Sequence, residues 1–167
     1  MGRHQRTIAA LTITAFLCGV VAYAARPVLG VATTQAGACT SQVRRGVLPE
    51  WARGGFSDPK PRMPHVLGAS GRIVAILWAY PLISPAPRDH NNKILWVSRV
   101  ATDPGSDLRI RAQRMDESRP LGSQVTRRVM GGPNPSIINL PSSGCWRLTL
   151  RWSGHVDTLD LQYASNR

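Results

Sequence analysis

Acidic residues are scarce: nine Asp and Glu stand among 167 residues, against 21 Lys and Arg. That leaves little material for paired-carboxylate catalysis, which needs two acids held roughly 5–9 Å apart across a cleft. Asp157 and Asp160 fall within one strand pattern, where opposite-face or terminal positions suit them better than an acid–base pair. Aromatic residues make up only 6% of the chain, and no block of five like charges occurs. Without an aromatic ladder or a basic run, a nucleic-acid-binding module is not expected. His65, His90 and His155 lie far apart, with no paired cysteine and no His-x-x-x-His, so they read as surface or loop histidines. No metal and no cofactor are expected. A nucleophile elbow is also missing: Gly68-Ala69-Ser70-Gly71 lacks glycine two places either side of the serine and reads as a turn. Ser153, His155 and Asp157 are hairpin neighbours whose side chains point away from one another.

Glycine and proline are plentiful, 15 and 13 respectively, which favours many short elements joined by turns over long helices. The start of the chain has a different character. Met1-Gly2-Arg3-His4-Gln5-Arg6 is short and basic, and nineteen uncharged residues follow, Thr7 to Ala25. As a helix that run would reach about 28 Å, close to the hydrocarbon thickness of a bilayer. The leading arginines would stay in the cytoplasm, placing everything after Arg26 outside. Ala22-Tyr23-Ala24 presents small residues where a signal peptidase reads them, so the segment is either cleaved after Ala24 or kept as an anchor through residues 7–25. Ala36-Gly37-Ala38-Cys39 has the small residues of a lipoprotein box, but it lacks the aliphatic start and lies well beyond the apolar run. The expected organisation is a leader or anchor over 1–25, a linker over 26–45 and a folded domain over 46–167. The expected location is the extracytoplasmic side of a bacterial membrane, or secreted if cleaved.

Three cysteines are present: Cys18 inside the apolar run, Cys39 and Cys145. In an oxidising compartment the last two form one bridge, or else remain as two buried thiols. Such a bridge would close about 105 residues and contribute up to roughly 4.7 kcal/mol by chain entropy.

Residues 46–64 carry four prolines and Gly54-Gly55, an irregular stretch in which Leu48, Trp51 and Phe56 would plug a hydrophobic gap or form a ligand platform. Beyond it strand signals become frequent. Arg72–Tyr80 is rich in β-branched and aromatic residues and ends at Pro81; Lys93–Arg99 is a second strand, stopped by Pro104-Gly105. Leu108, Ile110 and Ala112 alternate with Arg109, Arg111 and Gln113. Residues 123–130 read as an edge on which Arg127 and Arg128 would discourage aggregation. Ile137–Leu140 is a short strand. Trp146, Leu148, Leu150 and Trp152 alternate with Arg147, Thr149 and Arg151, Ser153-Gly154 turns the chain, and Leu159, Leu161 and Tyr163 alternate with Thr158, Asp160 and Gln162. Six to eight short strands with one polar face imply an all-β fold of paired antiparallel sheets; an immunoglobulin-like sandwich fits best, with a small barrel as the alternative.

From Lys93 onward the chain resembles a group of bacterial exported proteins and lipoproteins. The resemblance rests on Pro135-Ser136-Ile137-Ile138 and Pro141, on Gly144-Cys145-Trp146-Arg147-Leu148-Thr149, on Lys93, Trp96 and Arg99, and on Leu108-Arg109-Ile110 with Arg114-Met115-Asp116. It covers roughly 60 residues, departing from the group at Met115 (leucine there) and in lacking paired tryptophans at 96–97. It implies a β-sandwich in which an N-terminal cysteine is bridged to the Gly-Cys-Trp cysteine. No catalytic residues come with it.

The net charge of +12 comes from 21 basic residues, 19 of them arginine. Arginine keeps its proton and pairs with planar anions in a fork. Arg109, Arg111, Arg147 and Arg151 are therefore expected on outward strand faces, in reach of an anionic envelope polymer or lipid headgroups. The expected function is that of a non-enzymatic, membrane-associated binding or structural module at the cell envelope. A secreted hydrolase with a site built from loops 46–64 and 81–92 is the alternative.

Overall fold

The computed structural model describes residues 39–166. The expected leader or anchor, Cys18 and most of the expected linker lie outside those residues. The described chain contains ten strands and one three-residue 3-10 turn, Glu50–Ala52. In order the strands are β1 (Arg44–Val47), β2 (Arg62–Leu67), β3 (Ile73–Leu77), β4 (Leu82–Ser84), β5 (Lys93–Ser98), β6 (Leu108–Asp116), β7 (Arg119–Val129), β8 (Pro135–Ile137), β9 (Gly144–Trp152) and β10 (His155–Ser165). They form two five-stranded sheets, ordered β1-β2-β3-β5-β8 and β4-β10-β9-β6-β7.

The alternation in the second sheet decides what faces inward. Leu108, Ile110 and Ala112 of β6, Trp146, Leu148, Leu150 and Trp152 of β9, and Leu159, Leu161 and Tyr163 of β10 are all buried. They meet Val66, Ile73, Ala75, Leu77, Ile94 and Trp96 of the first sheet in one core. Three tryptophans in that core keep their indole N–H satisfied, as buried indoles require. Trp96 donates to Ser136 Oγ at 3.0 Å, Trp146 to the Ser142 carbonyl at 2.9 Å and Trp152 to Ser98 Oγ at 3.0 Å.

Several expectations need correction. The sheets are not wholly antiparallel, because β4 pairs parallel to β10. After β3 the chain leaves the first sheet over Trp78–Pro81, where Pro81 offers no N–H to continue the ladder, and joins the edge of the second. The folded body begins earlier than 46, since Cys39 is bridged and Arg44–Val47 pairs with β2. Strand β2 carries Pro64, which breaks its strand signal and stands opposite Arg45 of β1, one residue before the β2–β3 ladder starts at His65. The Ile137–Leu140 strand is instead Pro135–Ile137: Ile138 and Leu140 drop into the core, and the Ile138 carbonyl accepts from the Tyr163 hydroxyl at 2.7 Å. His65 is not a surface or loop residue but is buried on β2, with Nδ1 2.8 Å from the Met63 carbonyl oxygen.

Residues 46–64 do plug a gap. Leu48 and Ala52, with Trp51, Phe56 and Met63, cover Val74 and Ile76 on the outer face of β3. That cover explains why every residue of β3 is buried. On the opposite sheet β7 is the edge, and Arg127 blunts it by donating to the Asn139 carbonyl at 2.8 and 3.1 Å and to the Thr126 carbonyl at 2.9 Å.

Candidate anion-binding face

Strands β7, β6, β9 and β10 place alternate residues on the outer surface of the second sheet, in cross-strand rows. The first row is Arg128, Arg109, Arg151 and Val156; the second is Thr126, Arg111, Thr149 and Thr158. Adjacent strands lie about 4.8 Å apart, so three arginines extend from neighbouring cross-strand positions. Like charges in opposed positions repel. Arg128 is compensated by Asp107, its Nη2 lying 2.5 Å from Oδ2. Asp107 also accepts the Gly131 N–H, and this bond, then Arg128 and Arg109, hold its carboxyl below the usual carboxylate range against the opposing effect of desolvation. Arg109, Arg111 and Arg151 are exposed and make no ion pair among the described residues. A shallow depression of about 500 Å³ adjoins Arg109 and Arg151, edged by Asp107, Ser153, His155 and Val156.

Arg147 belongs to a different arrangement at the far end of the same face. Its Nε donates to Asp160 Oδ1 at 2.9 Å and its Nη2 to Oδ2 at 3.2 Å. Asp160 also accepts from the Thr40 N–H at 3.2 Å and from Thr40 Oγ1, while its own N–H donates to Ser41 Oγ at 2.9 Å. Beside this network Cys39 and Cys145 form a disulfide with Cα atoms 5.3 Å apart. Expected contact residue Arg147 is thus occupied in clamping residues 39–41 onto β9 and β10. Cys39 sulfur is in the bridge and not free to carry a lipid.

The Gly-Cys-Trp motif now has a physical account. A Cβ on Gly144 would lie 3.0 Å from Arg114 Nε, and the backbone there has φ +120°. Cys145 makes the bridge, and Trp146 anchors the core.

Asp157, not expected to serve as a catalytic acid, joins the two sheets. Its Oδ1 accepts the N–H groups of Ser70 (2.9 Å) and Thr158 (2.8 Å), and its Oδ2 that of Arg72 (3.0 Å). Gly68 makes room: a Cβ there would sit 2.3 Å from Asp157 Oδ2. Burial pushes the Asp157 carboxyl upward, but these backbone bonds outweigh it and leave it lowered; for Asp160 burial is likewise outweighed by Arg147 and Thr40. Both folded-state values lie below the unfolded ones. The stability they supply is therefore fully present above the unfolded carboxylate range, about pH 4, and is lost as pH falls towards the folded values. Unfolding free energy measured against pH should be level above about pH 5 and decline in acid. Asp157→Asn should flatten that decline; an unchanged slope would show that Asp157 does not supply it.

The structure brings Arg109, Arg111 and Arg151 together and places Arg147 with Cys39 and Cys145. Arg128 was missed as a member of the first row, because only the β6–β7 register sets it opposite Arg109. For the hydrolase loops, His90 has a buried Nε2 without a partner among the described residues. Near His155, Ser153 Oγ accepts the Asp103 N–H and Ser106 Oγ the Ser153 N–H, so both serines serve turns. Comparison with protein-family models, with curated proteins and with solved structures finds no match.

Proposed function

We propose that this protein is an exported, non-enzymatic β-sandwich module that holds an anionic polymer of the cell envelope against the outer face of the second sheet. The observation that carries the reading is the row Arg128–Arg109–Arg151 with Arg111 beside it, three of the four in no ion pair among the described residues. Neighbouring guanidinium groups repel until an anion lies between them, and phosphate or carboxylate oxygens match their fork. Thr126, Thr149 and Thr158 add hydroxyl donors in the next row. A flat face of this kind suits an extended polymer rather than a small molecule held in a cleft. The Cys39–Cys145 bridge supports an oxidising, extracytoplasmic setting.

An immunoglobulin-like arrangement is the finer reading of the fold. It is supported by the order β4-β10-β9-β6-β7 facing β3-β5-β8, with the chain crossing between sheets after β3 and closing on a parallel edge pair. Membership of the exported group with the Gly-Cys-Trp motif goes with it, supported by the bridge at Cys145.

The test is binding of polyphosphate and polyglutamate by calorimetry across salt concentrations. The Arg109→Ser/Arg111→Ser/Arg151→Ser variant is expected to bind at least about tenfold more weakly, ~1.4 kcal/mol, with a shallower salt dependence. Its unfolding midpoint should hold or rise as repulsion is relieved. Arg147→Ser should instead lose stability, through Asp160. Unchanged affinity in the triple variant would overturn the proposal.

A further inference from the structure

The outer face of the first sheet ends in a row that the rest of the described chain leaves open. Rows on this face run Val74–Val97, then Ile76–Leu95–Pro135, then Trp78–Lys93–Ile137, the last joined by the Trp78 N–H donating to the Lys93 carbonyl at 3.1 Å. The segment carrying Leu48, Trp51, Ala52 and Phe56 covers Val74, Ile76, Leu95 and Val97 and stops there. Trp78 remains 50% and Ile137 55% exposed, and Lys93 is exposed between them. Phe56, at the end of the cover, stacks on Trp78 with ring centroids 6.1 Å apart and planes inclined by 16°. Lys93 Nζ lies 5.3 Å from the Trp78 ring centroid. Lys93 forms no ion pair among the described residues.

We propose that this row is where the folded body rests on an anionic lipid surface. An indole ring such as that of Trp78 settles at the headgroup level, where one end is wet and the other apolar. Lysine lays its stem along apolar surface and raises its charge to lipid phosphates. Ile137 supplies a bare aliphatic group that a bilayer accommodates, whereas an acidic polysaccharide would stack on the ring and gain nothing from it. The unpaired Lys93 gives the row the charge complementary to an anionic leaflet. This goes beyond the polymer reading and does not depend on it. The two faces lie on opposite sides of the paired sheets, so lipid can occupy one while the arginine rows look away.

The test uses the full chain in nanodiscs carrying brominated acyl chains, either phosphatidylglycerol with phosphatidylcholine or phosphatidylcholine alone. Tryptophan fluorescence should be quenched in the anionic discs and much less in the neutral ones. Trp78→Phe should remove most of that quenching, because Trp96, Trp146 and Trp152 are buried in the core and the fifth tryptophan, half-buried Trp51, packs in the cover over Val74 and Ile76. Lys93→Glu keeps Trp78 as the reporter and should also lose the quenching in anionic discs, so the result does not hang on one variant. Quenching equal in wild type and both variants would overturn the proposal. Protection of Trp78 from acrylamide by polygalacturonate, with no quenching by brominated lipid, would assign the row to a glycan and overturn it as well.

Discussion

Cys145→Ser is expected to lower the unfolding free energy by about 3–5 kcal/mol, the range for removing a bridge that closes a long loop. The bridged residues are 106 apart in the chain, so the unfolded state gains a large conformational freedom when the link is lost. The folded state loses something too. Cys39 brings Thr40 and Ser41 onto Asp160, and without the bridge those bonds must hold residues 39–41 alone. Denaturant titration of wild type, Cys39→Ser, Cys145→Ser and the double variant separates these contributions. The single variants should be nearly equal and the double no worse than either, because each already abolishes the same link. A double variant about twice as destabilised would mean the sulfurs act independently. Intact mass under non-reducing conditions gives the complementary result: two alkylatable thiols at Cys39 and Cys145 would contradict the bridge outright.

Asp157→Ala should cost about 3 kcal/mol or more, the second large effect. The substitution leaves three backbone N–H groups without their acceptor, those of Ser70, Arg72 and Thr158. Bonds to a charged acceptor contribute ~1.5–3 kcal/mol each when removal leaves the donor unsatisfied, and water entering at the turn recovers part of that. Asp157→Asn retains one oxygen and should cost roughly half as much. Hydrogen exchange locates the effect. Amides of Ser70 and Arg72 should lose protection, while those of β6 and β9 follow only the global change. Stability unaltered in Asp157→Ala would remove the carboxylate from its place as the tie between the sheets.

Much of the second sheet was legible in the chain. Its strands have one face on the core and one in solvent, so β6, β9 and β10 alternate with period two, and the Ser153-Gly154 turn between β9 and β10 has positive φ at both residues, as a tight hairpin requires. The first sheet was harder to read. All five residues of β3 are apolar because both faces are covered, and a continuous apolar run does not say which side any residue takes. That is why Trp78 could be placed on a strand but not at the open end of an outer face. β1 and β4 are short, of four and three residues, and β2 carries Pro64, so neither periodicity nor propensity marks them.

By itself the sequence determined the all-β character, the alternation that sends arginines outward, and the pairing available to Cys39 and Cys145. These are local or arithmetical properties: side chains alternate along any strand, and two cysteines left outside the apolar run have one pairing open to them. Register and sheet crossing are not local. Only the tertiary structure decided that Arg128, Arg109 and Arg151 share a row while Arg147 turns to Asp160, and that Asp157 reaches across to the turn at Ser70. Each depends on which residues of distant strands stand opposite one another, and a shift of one residue would have turned every such side chain to the other face.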